Sequence, residues 1–299
     1  MPWREDRIHR WLASQRAPRG LSGSRGHDAA VFVKLRGRPV ICVDQTIEGV
    51  HFAPREDPAR IGRKAAARAI SDLAATAARP RAVFVALAVP RERSDAWIEK
   101  LLDGARARAR AHGADLCGGD LSIAPDRAHV AVTAFGEYLG SGTPPGRDRA
   151  RAGEIVVVTG PVGGSLLGRH LDFAPRVELG LRLHRAGANA MMDVSDGLAW
   201  DLYRLARASR VRIDLELARV PVHRDAQTRA RKSGKTPLWH ALHDGEDHEL
   251  VATLPRNAKR MRGVTVIGRV RAGRGLHLVD AHGRSRAWRP MQGAYEHGR

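Results

Sequence analysis

Six aspartates of this chain stand where the sequence reads as a strand end or a helix start. They are Asp28 in GHDAAV, Asp44 in ICVDQT, Asp72 in ISDLAA, Asp120 in CGGDLS, and Asp193 and Asp196 in DVSDGL. Converging carboxylates repel one another unless a cation joins them. Magnesium suits such a set, because it takes oxygen ligands, keeps waters and bridges carboxylates to phosphates. Singly, each aspartate has an ordinary reading as a helix cap or turn residue, and DVSDG before an amphipathic helix is itself a capping arrangement. The signal lies in the series. Glycines add to it: Gly118 and Gly119 precede Asp120, and GPVGGS precedes a stretch read as a helix whose first amides could face an anion. Neither fits the pattern GxxxxGK[ST], and no GxGxxG follows a strand. Phosphate binding here therefore needs some other fold.

The elements that must position these residues are legible in outline. AVFVKLRGRPVICVDQTI reads as two strands around a turn at Arg36 to Pro39. Asp57-Pro58 is a helix start, and Ile61, Ala65, Ala69, Leu73 and Ala77 follow at one-turn spacing. A strand from Ala82, a helix from Asp95 to about His112 and strands at DLCGG and HVAVTAFGEY complete a first half. The stretch from Gly140 to Glu154 is rich in Gly, Pro and charge, as a boundary would be. Beyond it the order restarts: a strand at EIVVVTG, a helix near Ser165 to Leu171, a helix after DVSDG and strands at RIDLELARV, ELVATLP and GVTVIGRV. PVHRDAQTRARKSGKTP reads as a basic exposed segment. The expected fold class is α/β with mixed, α+β-type sheets, in two domains spanning 1–142 and 150–299.

Composition narrows the class further. A formal net charge of +19 raises the question of a nucleic-acid partner. The basic residues are spread along the chain, however, and lysine occurs only at Lys34, Lys64, Lys100, Lys232, Lys235 and Lys259. No basic motif interleaved with aromatics appears, so an arginine-rich surface is favoured over nucleic-acid recognition. The longest apolar run, Ala82 to Pro90, makes one buried strand and no membrane span. The charged start MPWREDRIHRWL lacks an apolar signal core. Cys42 and Cys117 form neither a disulfide framework nor a zinc pattern. A cytoplasmic location is expected.

In order, the chain carries GHDAAV, VDQTIEGVHF, SDLAATAARP, LCGGDLS, TGPVGGSLLG, MMDVSDGL, RIDLELARVP, HDGEDHEL and VIGRV. This series resembles the thiamine-monophosphate kinase family of the aminoimidazole ribonucleotide synthetase superfamily, over roughly residues 23 to 270. The resemblance implies a two-domain architecture, a homodimer, several magnesium ions, and transfer of the ATP γ-phosphoryl to thiamine monophosphate to give thiamine diphosphate. By motif position, Asp28, Asp44, Asp72, Asp120, Asp193 and Asp196 fall at magnesium positions, the first domain being the one that binds ATP and magnesium. Gly119, Asp120, Arg147 and Ser195 fall where the family contacts ATP. His51 and Glu246 fall at substrate-contacting positions. Trp288 is the available aromatic for stacking on thiamine, or else an anchor of the tail to the core. No general base is required, since the acceptor phosphate is ionised near neutral pH.

The chain also departs from the family pattern. His27 replaces an acidic residue, Cys42 and Val43 replace hydroxyl residues, Leu121 stands in GGDLS, and Gly164 stands where the family has Asp. Alternatives are therefore another ATP-dependent small-molecule kinase or ligase on the same scaffold, or a non-catalytic relative that binds polyanions. Of the other branches, a selenophosphate synthetase calls for a reactive residue upstream of Cys42, and the hydrogenase-maturation relatives for a C-terminal cysteine, whereas this chain ends EHGR.

Overall fold

The computed structural model describes residues 2–22 and 29–290. Its chain divides into two compact units, the first made of Met1–Leu73, Ala78–Ser141 and Leu171–Pro175, the second of Ala74–Ala77, Gly142–His170 and Arg176–Arg299.

In the first unit, helix α1 (Glu5–Ser14) is followed by two short strands, β1 (Leu21–Ser22) and β2 (Val31–Phe32), which pair antiparallel with each other. Strand β3 (Arg38–Ile47) does not close a hairpin with β2. Instead it pairs along its whole length with β6 (His129–Tyr138). The expected turn is held by a carboxylate: Glu137 of β6 accepts from the amides of Arg36 and Gly37. Helix α2 (Pro58–Ala75), strand β4 (Arg79–Val89), helix α3 (Asp95–Ala111) and strand β5 (Asp115–Ile123) complete the unit, and the sheet order is β3-β6-β4-β5. Only β4 and β5, joined through α3, are parallel. Residues of β3 alternate: Ile41 and Val43 are 64 % and 62 % exposed, while Thr46 is buried. Glycines let α2 and α3 approach closely. A Cβ on Gly62 would meet the Leu101 carbonyl at 1.9 Å, and one on Gly104 the Ala59 carbonyl at 2.1 Å.

The second unit is built on a seven-stranded sheet. Its strands are β7 (Ile155–Val158), β8 (Met191–Asp193), β9 (Arg212–Glu216), β10 (Leu250–Leu254), β11 (Thr265–Arg271), β12 (Gly275–Val279) and β13 (Ser285–Ala287), in the order β13-β12-β9-β11-β7-β10-β8. Helix α4 (Val177–Arg185) was not foreseen, and α5 (Leu198–Ala208) was. α5 lays Leu198, Leu202 and Leu205 onto a core that includes Val156, Val158, Met192, Ile213 and Val251. The expected basic segment contains helix α6 (Arg224–Ser233), with α7 (Pro237–His243) after it. Only Ala226 of α6 is buried, so its apolar pattern is faint; His223 caps its start and Gly234, at φ 69°, its end. Residues 165–171 form two short 3₁₀ turns instead of a helix.

Candidate functional site

In the first unit the candidate residues come from three elements. Asp44 lies on β3, Asp72 near the end of α2 and Asp120 on β5. Asp44 and Gly119 stand on one line across the sheet, through Val132 of β6 and Val85 of β4. Asp120 is exposed. Asp44 is in an ion pair: the Arg68 guanidinium of α2 lies 3.3 Å from its Oδ1 and also donates to the Gln45 carbonyl at 2.9 Å. The pairing was not legible in sequence, since the partners lie on different elements. Asp28 and His27 fall outside the described residues. Cys42 Sγ is 3.1 Å from the Ala69 carbonyl of α2.

His51 is 8 % exposed and turned into its own turn. The Ile47 amide donates to its Nδ1 at 3.0 Å, and its carbonyl accepts from Lys64 Nζ at 2.6 Å. Lys64 is fully buried. A buried ammonium requires such a partner, so Lys64 fixes the EGVHF turn from beneath.

The second unit joins two motifs that lie fifty residues apart. Across DVSDG and GEDHEL, the Val194 amide donates to the Glu249 carbonyl at 2.8 Å, the His248 amide to the Val194 carbonyl at 2.8 Å, and the Glu246 amide to the Ser195 carbonyl at 2.7 Å. Asp193, Ser195, Asp196 and Glu246 are thus held on one pair of stitched loops. Glu246 and His248 have φ of 54° and 50°, a region that side chains seldom occupy. Such conformations persist where surrounding bonds over-determine them, and they concentrate at functional sites.

Three side chains missed by sequence reading shape these loops. His248 Nδ1 lies 3.0 Å from Asp193 Oδ2, and its Nε2 lies 3.8 Å from Glu246. Burial acts to lower the imidazole pKa, but its bonds to Asp193 and Glu246 prevail and hold it up at about 9. Arg204 pairs with Asp196, and its guanidinium sits 5.0 Å over the Trp200 ring. Asp201, fully buried on α5, accepts from the amides of both Ser195 and Asp196 at 3.0 Å. Burial, and then the nearby Asp196, raise its carboxyl well above the usual range. The sequence signal for Asp201 was its place one turn into the helix that follows DVSDG.

Arg147 is exposed, with its backbone anchored: its carbonyl accepts from Ser209 Oγ at 2.9 Å. Trp288 is 9 % exposed and belongs to the core. Its ring lies 5.8 Å from Trp200 and 5.4 Å from Tyr203, and its amide donates to the Leu276 carbonyl. Of the two readings of this residue, this packing matches the anchor of the tail.

In the glycine turn GPVGGS, the amides of Gly163 and Gly164 are taken by internal carboxylates. The Gly163 amide donates to both oxygens of Asp247 at 2.9 Å, and the Gly164 amide to Asp244 at 2.9 Å. Arg169 clamps Asp247 from the other side at 2.9 Å. Burial pushes Asp247 up to about 6 from 3.8, against the pull of Arg169. Its folded-state pKa is the higher one, so its stabilising contribution is complete below 3.8 and is lost as the pH rises through 6. The Asp247→Asn variant keeps an acceptor but cannot titrate. Urea unfolding at pH 4.5 and 7.5 should therefore find the wild type losing about 2 kcal/mol relative to the variant between the two. Equal differences at both values would contradict this.

All candidate metal donors are carboxylate oxygens, the chemistry that hard divalent cations prefer. Among the described residues, no group of three or more His, Cys, Asp or Glu side chains is placed to hold a metal ion.

Comparison with known proteins bears on what these loops serve. Residues 26–138 match the family model described as AIR synthase related protein, N-terminal domain. The thiamine-monophosphate kinase of Rhodopirellula baltica is 41% identical over 216 residues, covering 72% of this chain and 67% of that protein. That of Mycobacterium tuberculosis is 36% identical over 291 residues, covering 91% of this chain and 86% of that one. Among solved structures, AaThiL complexed with AMPPCP and TMP superposes with a TM-score of 0.77 at 28% identity, over 93% of this chain and 92% of that chain. At 36% identity over nine-tenths of its length to one such kinase, the chain belongs to the thiamine-monophosphate kinase family.

Proposed function

We propose that this protein is an ATP-dependent phosphotransferase that phosphorylates thiamine monophosphate to thiamine diphosphate. The observation that carries the reading is the stitched pair of loops, DVSDG and GEDHEL, which holds Asp193, Ser195, Asp196 and Glu246 in over-determined positions. Arg147, exposed on an anchored backbone, offers a forked set of donors to phosphate. Gly119 and Ser195 contact ATP, and Glu246 and His51 contact the acceptor. Asp28, Asp44, Asp72 and Asp120 of the first unit, and Asp193 and Asp196 of the second, would hold magnesium, which would supply the positive charge that brings two polyanions together. The protein's own share is positioning: the acceptor phosphate needs no base, and its alignment with the γ-phosphoryl sets the rate.

On the four-stranded sheet of the first unit, Ile41 and Val43 share one face of β3 and are more than half exposed. An apolar sheet surface of this kind favours pairing with a second copy, and we assign the protein a homodimer on that face. No described helix is long and apolar enough to cross a membrane. With ATP as co-substrate, the cytoplasm is the proposed location.

The test is turnover of ATP with thiamine monophosphate, following ADP and thiamine diphosphate by chromatography. Stoichiometric product, lost on chelation of magnesium, is expected. ATP bound without product from thiamine monophosphate, but with product from another phosphorylated acceptor, would reassign the substrate.

A further inference from the structure

Asp44, a candidate magnesium carboxylate, is paired with an arginine. Arg68 projects from the middle of α2, one turn after the buried Lys64 and one turn before Asp72, so the three share a helix face. Its side chain is 13 % exposed. One terminal nitrogen donates to the Gln45 carbonyl at 2.9 Å and the other lies 3.3 Å from Asp44 Oδ1. Its Nε is buried without a hydrogen-bond partner. A guanidinium placed so far from water, with one donor unused, is costly unless it answers a charge. The charge available on β3 is Asp44. In the second unit, Asp196 has the same kind of partner in Arg204.

We propose that Arg68 is a positioning residue: a built-in counter-cation that holds Asp44 in the nucleotide-free protein and weakens the binding of a divalent ion there. This rests on the reading of Asp44 as a magnesium position. An arginine cannot lose its proton in this setting, so it competes with a divalent ion at every working pH. Its planar fork also directs the carboxylate, which a mobile ion in water would not do. Nucleotide phosphates, which bring their own oxygens to the metal, would then be needed before an ion is held tightly at this carboxylate.

The experiment measures Mn²⁺ binding to the nucleotide-free protein by the electron paramagnetic resonance signal of the free ion. Wild type is compared with Arg68→Met, which keeps the apolar stem, and Arg68→Lys, which keeps the charge. Thermal unfolding of each variant establishes that it is folded. Arg68→Met is expected to gain affinity by about tenfold, Arg68→Lys to stay near wild type, and Asp44→Asn added to Arg68→Met to abolish the gain. A residue that merely braced α2 against β3 would lose stability without raising ion affinity. Superimposable isotherms for wild type and a folded Arg68→Met would overturn the proposal. A gain that survives Asp44→Asn would overturn it too, by placing the ion elsewhere. Failure to phosphorylate thiamine monophosphate would instead count against the assigned reaction, and it is read in a separate assay.

Discussion

Asp201→Ala is expected to lower kcat/KM by about 100- to 1,000-fold, through loss of alignment at a site the residue itself does not enter. Its Oδ2 accepts from the Ser195 and Asp196 amides, and its Oδ1 lies 3.6 Å from Arg204. Alanine leaves two amides and a guanidinium without that acceptor at a buried position. Each lost partner costs about 1–3 kcal/mol. The DVSDG loop must then find another path, and Asp193, Ser195, Asp196 and Glu246 share its backbone bonds. Asp201→Asn retains a carbonyl oxygen for the same amides and should keep most of the activity. Steady-state kinetics and urea unfolding on both variants decide the matter. If alanine stays within about threefold of wild type, the loop is positioned by other contacts.

Gly119→Ala is expected to remove about 3 kcal/mol or more of stability and most ATP turnover. The reason is space and not backbone freedom: a Cβ there would lie 1.9 Å from the Val85 carbonyl and 2.7 Å from its carbon. Backbone, unlike a side-chain tip, cannot swing away, so β4 and β5 must separate at the rung where Val85 pairs with Gly119. Asp120, the next residue, moves with them. Gly118→Ala is the control, because its Cβ would meet only the Phe84 ring at 3.3 Å. That substitution should cost about 1 kcal/mol or less. Thermal unfolding with and without ATP separates the two effects; equal melting temperatures for the two variants would refute the steric account.

Strong periodicity and strong caps made some elements legible from the sequence alone. Helix α3 begins after Ser94, whose side chain accepts from the Trp97 amide, and β6 spans the residues read for it, His129–Tyr138. Helix α5 followed from its leucines at helical spacing. The motif series also identified the family and the residue types of the site, because local words such as VSDG and GEDHEL survive translation into sequence order. Weak or competing local signals hid the rest. α6 is polar all round and is held by its ends, so its composition read as exposed chain. β2 pairs with β1 instead of β3, and the amides of the expected turn are taken by Glu137, which lies a hundred residues on and leaves no local trace.

Ion pairing within the site was decided by tertiary structure alone. Sequence placed the aspartates, but partners such as Arg68 for Asp44 and His248 for Asp193 come from other elements, 24 and 55 residues away. The same holds for Asp244 and Asp247, which fill a glycine turn that by its own pattern looked ready for phosphate. A chain's order fixes which groups it carries and much of their local backbone. Which opposite charge each one meets depends on packing, since an ion pair is a short-range arrangement of side chains that no local pattern encodes.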